Sequence, residues 1–555
     1  MTEIQFSFNG RQIRARQGQS LASALAEAGQ LALRKTAKGE DRGLFCGMGV
    51  CQECLVRVNG VPNLRACMTR AAEGLAVTRQ DPFPQLADIP VQAPSPELIR
   101  VDPEVLVIGG GAAGLSAAIA ARRAGASVVV LDERKIGGGQ YYKQSADAAV
   151  LDAQQAEGAD LLAQARERGA EILVGVELWG AFDDLLFLGH QDGVPLVARP
   201  RTAIVATGAY ERPVMVPGWT LPGVMTTGAA QTLWRSDRTL PGKRIAVCGS
   251  GPLNLQVALE LARGGAEVRL VAEAAPTPLA HAKDAIALAR ADPQLARKGL
   301  AMLLGLKARG VAVRHRTQLD RVIEGPTGLL AHFRGPGGRS RVEEVDALCM
   351  NAGFEPQNEI LRLMGARMRY DAAFGHLKTE RNETFETTVT NLFAVGDCAG
   401  LGGAPAACIE GRIAGRVAAA RAGHGNVGDL TAERGDLARH RRFQHSLWRM
   451  HRIGPEPAKT IPPETLICRC EEITAGQLRA GLSDAPGHIG TLKRATRVGM
   501  GRCQGRYCAP VAARLVAEQT GKPLEDLSFF APRVPIKPVS IATILATQEA
   551  LDAPD

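Results

Sequence analysis

The chain has 555 residues, 45% hydrophobic and 22% charged, with 62 glycines and only 4% aromatics; that balance excludes a disordered or collagen-like polymer, and the length suits three or four domains. The formal charge of +9 comes from 53 arginines against 13 lysines, without a clustered basic face interleaved with aromatics, so no nucleic-acid partner is expected. No stretch of eighteen apolar residues is free of charge, which argues against a transmembrane segment. The opening MTEIQFSFNG lacks a basic n-region and an apolar h-region. The chain is expected in the cytoplasm, free or peripheral at the inner membrane.

In chain order, residues 1–80 begin with alternating text that predicts strands over 3–8 and 11–16, then a short helix over 20–28. A cysteine loop follows, and LVRVNG after Cys54 reads as another strand. Residues 81–100 carry five prolines and read as an extended linker. From 101 strand and helix alternate in a βαβ unit beginning EVLVIGG, and a second unit begins RIAVCGSGP after Lys243. The segments ALCMNAGFEP and NLFAVGDCAG read as late strands of the first unit. The expected fold is therefore α/β, with two nested Rossmann-like nucleotide domains. The first takes residues 101–240 and 345–425, and the second takes 241–344. An Arg/His-rich helical connector (426–460), a small cysteine domain (461–525) and a tail (526–555) complete the chain. Prolines 532, 535 and 538 keep the start of the tail extended. Its paired phenylalanines predict burial, either on a partner subunit or on the chain itself.

Eight of the twelve cysteines fall into two sets of four. Cys46, Cys51, Cys54 and Cys67 read C-x4-C-x2-C-x12-C, with glycines at 43, 47 and 49. Glycine lets the backbone wrap a cluster, and the spacing is ferredoxin-like and predicts [2Fe–2S]. Structural zinc, which favours paired C-x2-C knuckles, is the competing reading. Cys468, Cys470, Cys503 and Cys508 form the second set, in CRCEEIT and VGMGRCQGRYC. It resembles the helical [2Fe–2S] domain of bacterioferritin-associated ferredoxin, although that family closes with C-x2-C and this chain with C-x4-C. Zinc or mononuclear iron is the alternative there. Cys248, Cys349, Cys398 and Cys408 stand alone and are expected to be structural, and His281, His376, His440, His445 and His451 show no metal-ligand pattern.

The first dinucleotide fingerprint is Gly109-x-Gly111-x-x-Gly114, with Ala113 inside it and Asp132 closing VVVLD. The glycines permit a tight turn and close approach of a pyrophosphate at a helix N-terminus, and the acid would hold ribose hydroxyls. Glu133 is the alternative acid. Gln140 follows in GGGQ, and Gly208 in IVATGAYERP and Gly396–Asp397 in NLFAVGDCAG resemble the hallmark segments of two-dinucleotide-binding flavoproteins. That resemblance selects FAD and gives Asp397 the ribityl and pyrophosphate. The second fingerprint keeps Gly249 and Gly251 but has Asn254 for the third glycine. Ala272 stands at the acid offset, with Glu273 one place on. NAD(P) is not expected there.

The whole order (N-terminal [2Fe–2S] domain, Pro-rich linker, flavoprotein, C-terminal cysteine domain) resembles the α subunits of heteromeric amino-acid and amine dehydrogenases. These include hydrogen cyanide synthase, opine oxidase, D-hydroxyproline dehydrogenase and sarcosine oxidase. The resemblance implies an electron-transfer subunit that serves a D-amino-acid-oxidase-like, FAD-containing β subunit. It further implies FMN at the subunit boundary in some members, and a quinone or redox protein as acceptor. No catalytic acid, base or nucleophile is identified. The alternatives are a self-contained NAD(P)H-dependent reductase feeding an oxygenase, and a scaffolding subunit with a structural nucleotide.

Overall fold

A computed structural model describes residues 2–85, 95, 97–146, 149–454, 457–484 and 487–552. Near the N-terminus, Ile4, Phe6 and Phe8 alternate inward along strand Glu3–Phe8, the period of a half-buried strand. This strand joins a five-stranded sheet in the order Arg11–Arg16, Glu3–Phe8, Ala76–Arg79, Leu55–Val58, Val61–Arg65. Helix Leu21–Glu27, capped by the Ser20 hydroxyl, packs its leucines into the same core. Of the expected linker, residues 86–94 and 96 lie outside the described residues. Its end does not remain a linker, because Ile99–Val101 pairs in parallel with Val194–Ala198.

Two parallel sheets form the centre. The first runs Glu171–Val174, Val128–Asp132, Val105–Ile108, Thr202–Val205, Leu392–Ala394. Its strands VLVI and VVVLD are buried throughout, as a sheet covered on both faces requires. The second runs Val224–Thr226, Ala347–Asn351, Arg244–Gly249, Glu267–Glu273, Val313–His315. One assignment is corrected here: ALCMN pairs with Arg244–Gly249 and Val224–Thr226, so it belongs to the second sheet, as does the segment 224–226. Strands buried on both faces carry no mark of which sheet receives them, and local sequence cannot decide. The antiparallel pair Ala209–Glu211 and Phe354–Pro356 joins the two units.

The connector is helix Thr431–His451, whose Phe443 and Met450 cluster with Leu288 of helix Ala282–Ala291. The second cysteine set lies on the end of a short hairpin (Cys468) and in turns (Cys470, Cys503, Cys508) framed by three helices, 475–484, 489–496 and 509–520. In the tail, residues 529–540 carry no helix or strand. After its proline-rich start it forms helix Ile541–Asp552, with Ser540 receiving Thr543 N–H at 3.0 Å. Its paired phenylalanines are covered by this chain: Phe529 and Phe530 are buried, as is Ile536, while Leu527, Val534, Ile541 and Leu545 are exposed; Arg362 Nη2 donates to Phe530 O at 2.7 Å, and Ile536 N–H donates to Trp179 O at 2.9 Å. The Phe530 ring occupies the space left by Gly499 and Gly505, where β-carbons would lie 2.5 and 2.6 Å from ring atoms. Among the described residues no helix is long and apolar enough to cross a membrane.

Candidate functional site

The two outer glycines of the first fingerprint are set by packing. A β-carbon at Gly109 would lie 2.5 Å from Ala206 O, and one at Gly114 would overlap the Gly109 carbonyl. Gly111 differs: its backbone is extended (φ −90°, ψ −168°), it caps helix Ala112–Arg123, and a β-carbon there would meet only Gly139 Cα at 3.7 Å. A side chain at Gly111 would thus project into a cavity of about 900 Å³. Gly109, Gly111, Ala113, Asp132, Glu133, Gln140, Gly208, Gly396 and Asp397 all line it, whereas Gly114 lies beneath it against the strand. No side chain caps this helix, so its first N–H groups are left for a ligand.

A second helix N-terminus reaches the same cavity. Helix Ala404–Arg421 starts at Gly403 (φ +76°), again with no side-chain cap. It lies against Ala112–Arg123 so closely that β-carbons at Gly411 and Gly415 would overlap the Ala113 and Ala117 carbonyls. Asp397 Oδ1 accepts from Gly402 N–H at 2.8 Å and Gly403 N–H at 2.9 Å. Burial pushes its carboxyl up, and these two bonds oppose the push. Two uncapped helix ends facing one space suit a diphosphate.

The two candidate acids separate. Asp132 is buried, and its oxygens accept from Gly110 N–H (2.7 Å) and Arg134 N–H (2.8 Å). A carboxylate has about four acceptor positions, so capacity for hydroxyls remains. Glu133 is engaged by Arg65 of the N-terminal domain at 2.9 Å and by Lys537 of the tail. Burial pushes the Glu133 carboxyl up, but Lys537 and Arg65 outweigh it and hold the group at about 2. Sequence reasoning also missed Lys143, which is only 3% exposed. It lines the cavity and donates to Gln140 O at 2.9 Å and Gln231 Oε1 at 3.0 Å. Burial, assisted by Arg134, lowers its ammonium to about 7.

The cavity continues to the second fingerprint, and there the chain uses its own groups. Glu273, not Ala272, takes the place that Asp132 holds in the first unit: it accepts from Gly251 N–H at 3.1 Å and Ala275 N–H at 2.9 Å. Ala272 is buried in the sheet. Asn254 donates to Asn351 O at 3.1 Å and accepts from Thr227 Oγ1 at 2.8 Å, tying helix to strands where a glycine would let them touch. The connector helix ends on this loop, with Ser250 Oγ donating to His451 O at 2.8 Å and His451 Nδ1 lying 3.3 Å from Glu273 Oε2. His451 is thus a fingerprint contact rather than an ordinary surface or core histidine.

In the first cysteine loop Gly47 (φ +61°) and Gly49 (φ +83°) adopt left-handed backbone, which turns the Met48, Val50 and Cys51 N–H groups toward Cys46 Sγ. Burial pushes that thiol up, but the Cys51 thiol and these N–H groups bring it down to about 7. Thiols 46 and 51 are neighbours, as are 54 and 67. In the second set Cys468 contacts Cys470 and Cys508, and Cys470 contacts Cys503. Four neighbouring thiols in each set fit a two-iron cluster, in which each iron takes two thiolates. Cys248, Cys349 and Cys398 are buried, and Cys398 bonds the Val205 and Val395 carbonyls.

Comparison with known proteins agrees with this geometry. Residues 103–423 match the pyridine nucleotide-disulphide oxidoreductase family, 1–82 a 2Fe-2S iron-sulfur cluster binding domain, and 463–548 the sarcosine oxidase A3 domain. An opine oxidase subunit of Rhizobium meliloti (strain 1021) is 32% identical over 406 residues, 72% of this chain and 88% of the relative. Hydrogen cyanide synthase of Pseudomonas aeruginosa matches through two subunits. HcnB is 31% identical, covering 60% of this chain and 74% of its own length; HcnA is 36% identical, covering 15% and 81%. The crystal structure of L-proline dehydrogenase from P. horikoshii shares the fold, with TM-score 0.73 and 21% identity over 98% of this chain and 97% of that one. The chain is an oxidoreductase that belongs to the pyridine nucleotide-disulphide oxidoreductase family, together with its opine oxidase relative.

Proposed function

We propose that this chain is the electron-transfer subunit of a heteromeric amino-acid or amine dehydrogenase. One observation carries the reading: Met48 and Val50, inside the first cysteine loop, form part of the wall of the dinucleotide cavity. A nucleotide-bound redox group and an iron–sulfur group would thus be neighbours. When bound, FAD accepts an electron pair and returns electrons singly, and each [2Fe–2S] cluster carries one. The two helix N-termini hold the FAD diphosphate, Asp132 the ribose hydroxyls and Asp397 the ribityl–pyrophosphate end. The two sets of four cysteines hold the clusters, and Asn254 in place of the third glycine, with His451 set against Glu273, speaks against NAD(P) at the second fingerprint.

Amine oxidation itself belongs to a D-amino-acid-oxidase-like β subunit with its own FAD, and FMN lies at the boundary between the subunits. The final acceptor is a quinone or redox protein, and the complex is cytoplasmic or peripheral at the inner membrane. The names of the relatives support the heteromeric reading, since they are subunits of opine oxidase and hydrogen cyanide synthase. The test is turnover of amino acids and opines with a dye acceptor, using the chain alone and the chain co-expressed with a D-amino-acid-oxidase-like subunit. Activity only in the complex is expected. Turnover by the isolated chain, or rapid bleaching of its flavin by NADH, would overturn the proposal.

A further inference from the structure

The boundary between the two cysteine sites is built from buried charge. Glu53 lies between Cys51 and Cys54 in sequence, and Arg469 lies between Cys468 and Cys470. Both side chains are buried, with Arg469 Nη2 3.7 Å from Glu53 Oε2, and Arg34 closes on the same carboxylate at 2.9 Å. Arg42, 1% exposed, stands 3.6 Å from Glu472. Three buried guanidinium groups therefore face two buried carboxylates.

Arg469 stacks over Phe45 at 3.9 Å and Trp219 at 4.8 Å, yet its Nε and Nη1 have no hydrogen-bond acceptor, nor have Nε and Nη2 of Arg42. Buried charged donors without acceptors are expensive, so the protein's own atoms leave this charge short of an anion. The space beside it says which. A cavity of about 10 Å³ is lined by Cys51 from the first set and by Cys468, Cys470, Cys503 and Cys508 from the second, with Arg469 and Glu53 in its wall. Tyr507 stands there too, its ring 5.6 Å from Phe45.

We infer that Arg469 is a tuning residue shared by both iron–sulfur sites: its guanidinium is the counter-charge of both, raises both reduction potentials, and keeps them matched for exchange of one electron across this boundary. A tetrathiolate cluster becomes more negative by one charge on reduction, so a buried cation favours the reduced form. The exchange moves one electron from a reduced site to its oxidised neighbour and needs no proton or co-reactant. The inference rests on the two-cluster reading above, and iron content tests that reading separately.

The experiment is an EPR-monitored redox titration of the full-length chain, wild type, R469M and R469K, with iron and sulfide analysis of each. In R469M the reduced-to-oxidised ratio at a set potential is expected to fall about tenfold at both sites, which is about 59 mV for one electron. R469K should recover most of that loss, and the fully reduced wild type should show spin–spin splitting. A shift at one site only, no shift, or two non-interacting signals would overturn the inference. If R469M fails to assemble, E53Q probes the same pair from the other side and should raise both potentials; unchanged values there would overturn it equally. A wild-type chain with fewer than about four irons refutes the two-cluster reading itself.

Discussion

Gly111→Val separates the ligand from the fold. The position tolerates a side chain as far as the protein is concerned, since a β-carbon there meets only Gly139 Cα at 3.7 Å. What the side chain enters is the cavity above the uncapped helix Ala112–Arg123. A diphosphate displaced from that end loses charge-assisted hydrogen bonds of about 1.5–3 kcal/mol each. Losing two costs about 3–6 kcal/mol, or roughly 10²- to 10⁴-fold in affinity. Gly114→Ala provides the contrast, because its β-carbon would overlap the Gly109 carbonyl and disturb the fold whether or not a ligand binds. The assay is flavin released on denaturation, followed by reconstitution of the apoprotein, with circular dichroism as a check on folding. G111V should be folded and flavin-poor. A folded G111V that holds flavin with undiminished affinity would refute the assignment of the helix end to the diphosphate.

C51S and C503S should each lose about half of the iron and acid-labile sulfide of the wild type, because each breaks one ligand set; zinc in place of iron at both sites would contradict this. F530A should destabilise the C-terminal cysteine domain by about 3–5 kcal/mol, since the ring fills the space over Gly499 and Gly505, and a denaturant titration that leaves its midpoint unchanged would show that the tail is seated otherwise. Lys143 has its ammonium lowered from 10.5 to about 7 by burial, so it costs folding stability as pH falls from 10.5 to 7, and the cost is constant below that. K143M should therefore be more stable than wild type at pH 7 and converge with it above pH 10.5, by on the order of 1.4 kcal/mol for each pH unit between as an upper bound; a pH-independent difference would exclude the mechanism. Gly251→Val carries a backbone penalty even if its pocket is idle, because φ there is +125°, so its effect should appear in stability and leave flavin content unchanged.

The parts of the molecule legible in sequence are those written locally. Strand Glu3–Phe8, the buried run VVVLD and the glycine spacing of 109–114 each carry their structure within a dozen residues. Contacts between distant segments were not legible. Nothing near Glu133 announces Arg65 and Lys537, and nothing near Asn254 announces the carbonyl of Asn351. ALCMN is ambiguous for the same reason, because a strand buried on both faces looks alike in either sheet. A signal for the second helix end was available: Gly411 and Gly415 are four apart, a spacing that brings small residues onto one helix face. Prolines 532, 535 and 538 bar a helix only locally, and the proline-free run after Ser540 forms one.

The closeness of helices Ala112–Arg123 and Ala404–Arg421 has a consequence for biosynthesis. The cavity wall is completed by segments separated by almost 300 residues, and the second sheet is translated between them. A ribosome that has released the first fingerprint has made only half of the diphosphate cradle, and the other half follows about 15–60 s later at ordinary elongation rates of about 5–20 residues/s. Flavin capture is thus a late event on the nascent chain. The N-terminal cysteine loop, complete by residue 67, emerges long before the cavity wall it will join, whereas the second cysteine set, complete only at residue 508, emerges after it.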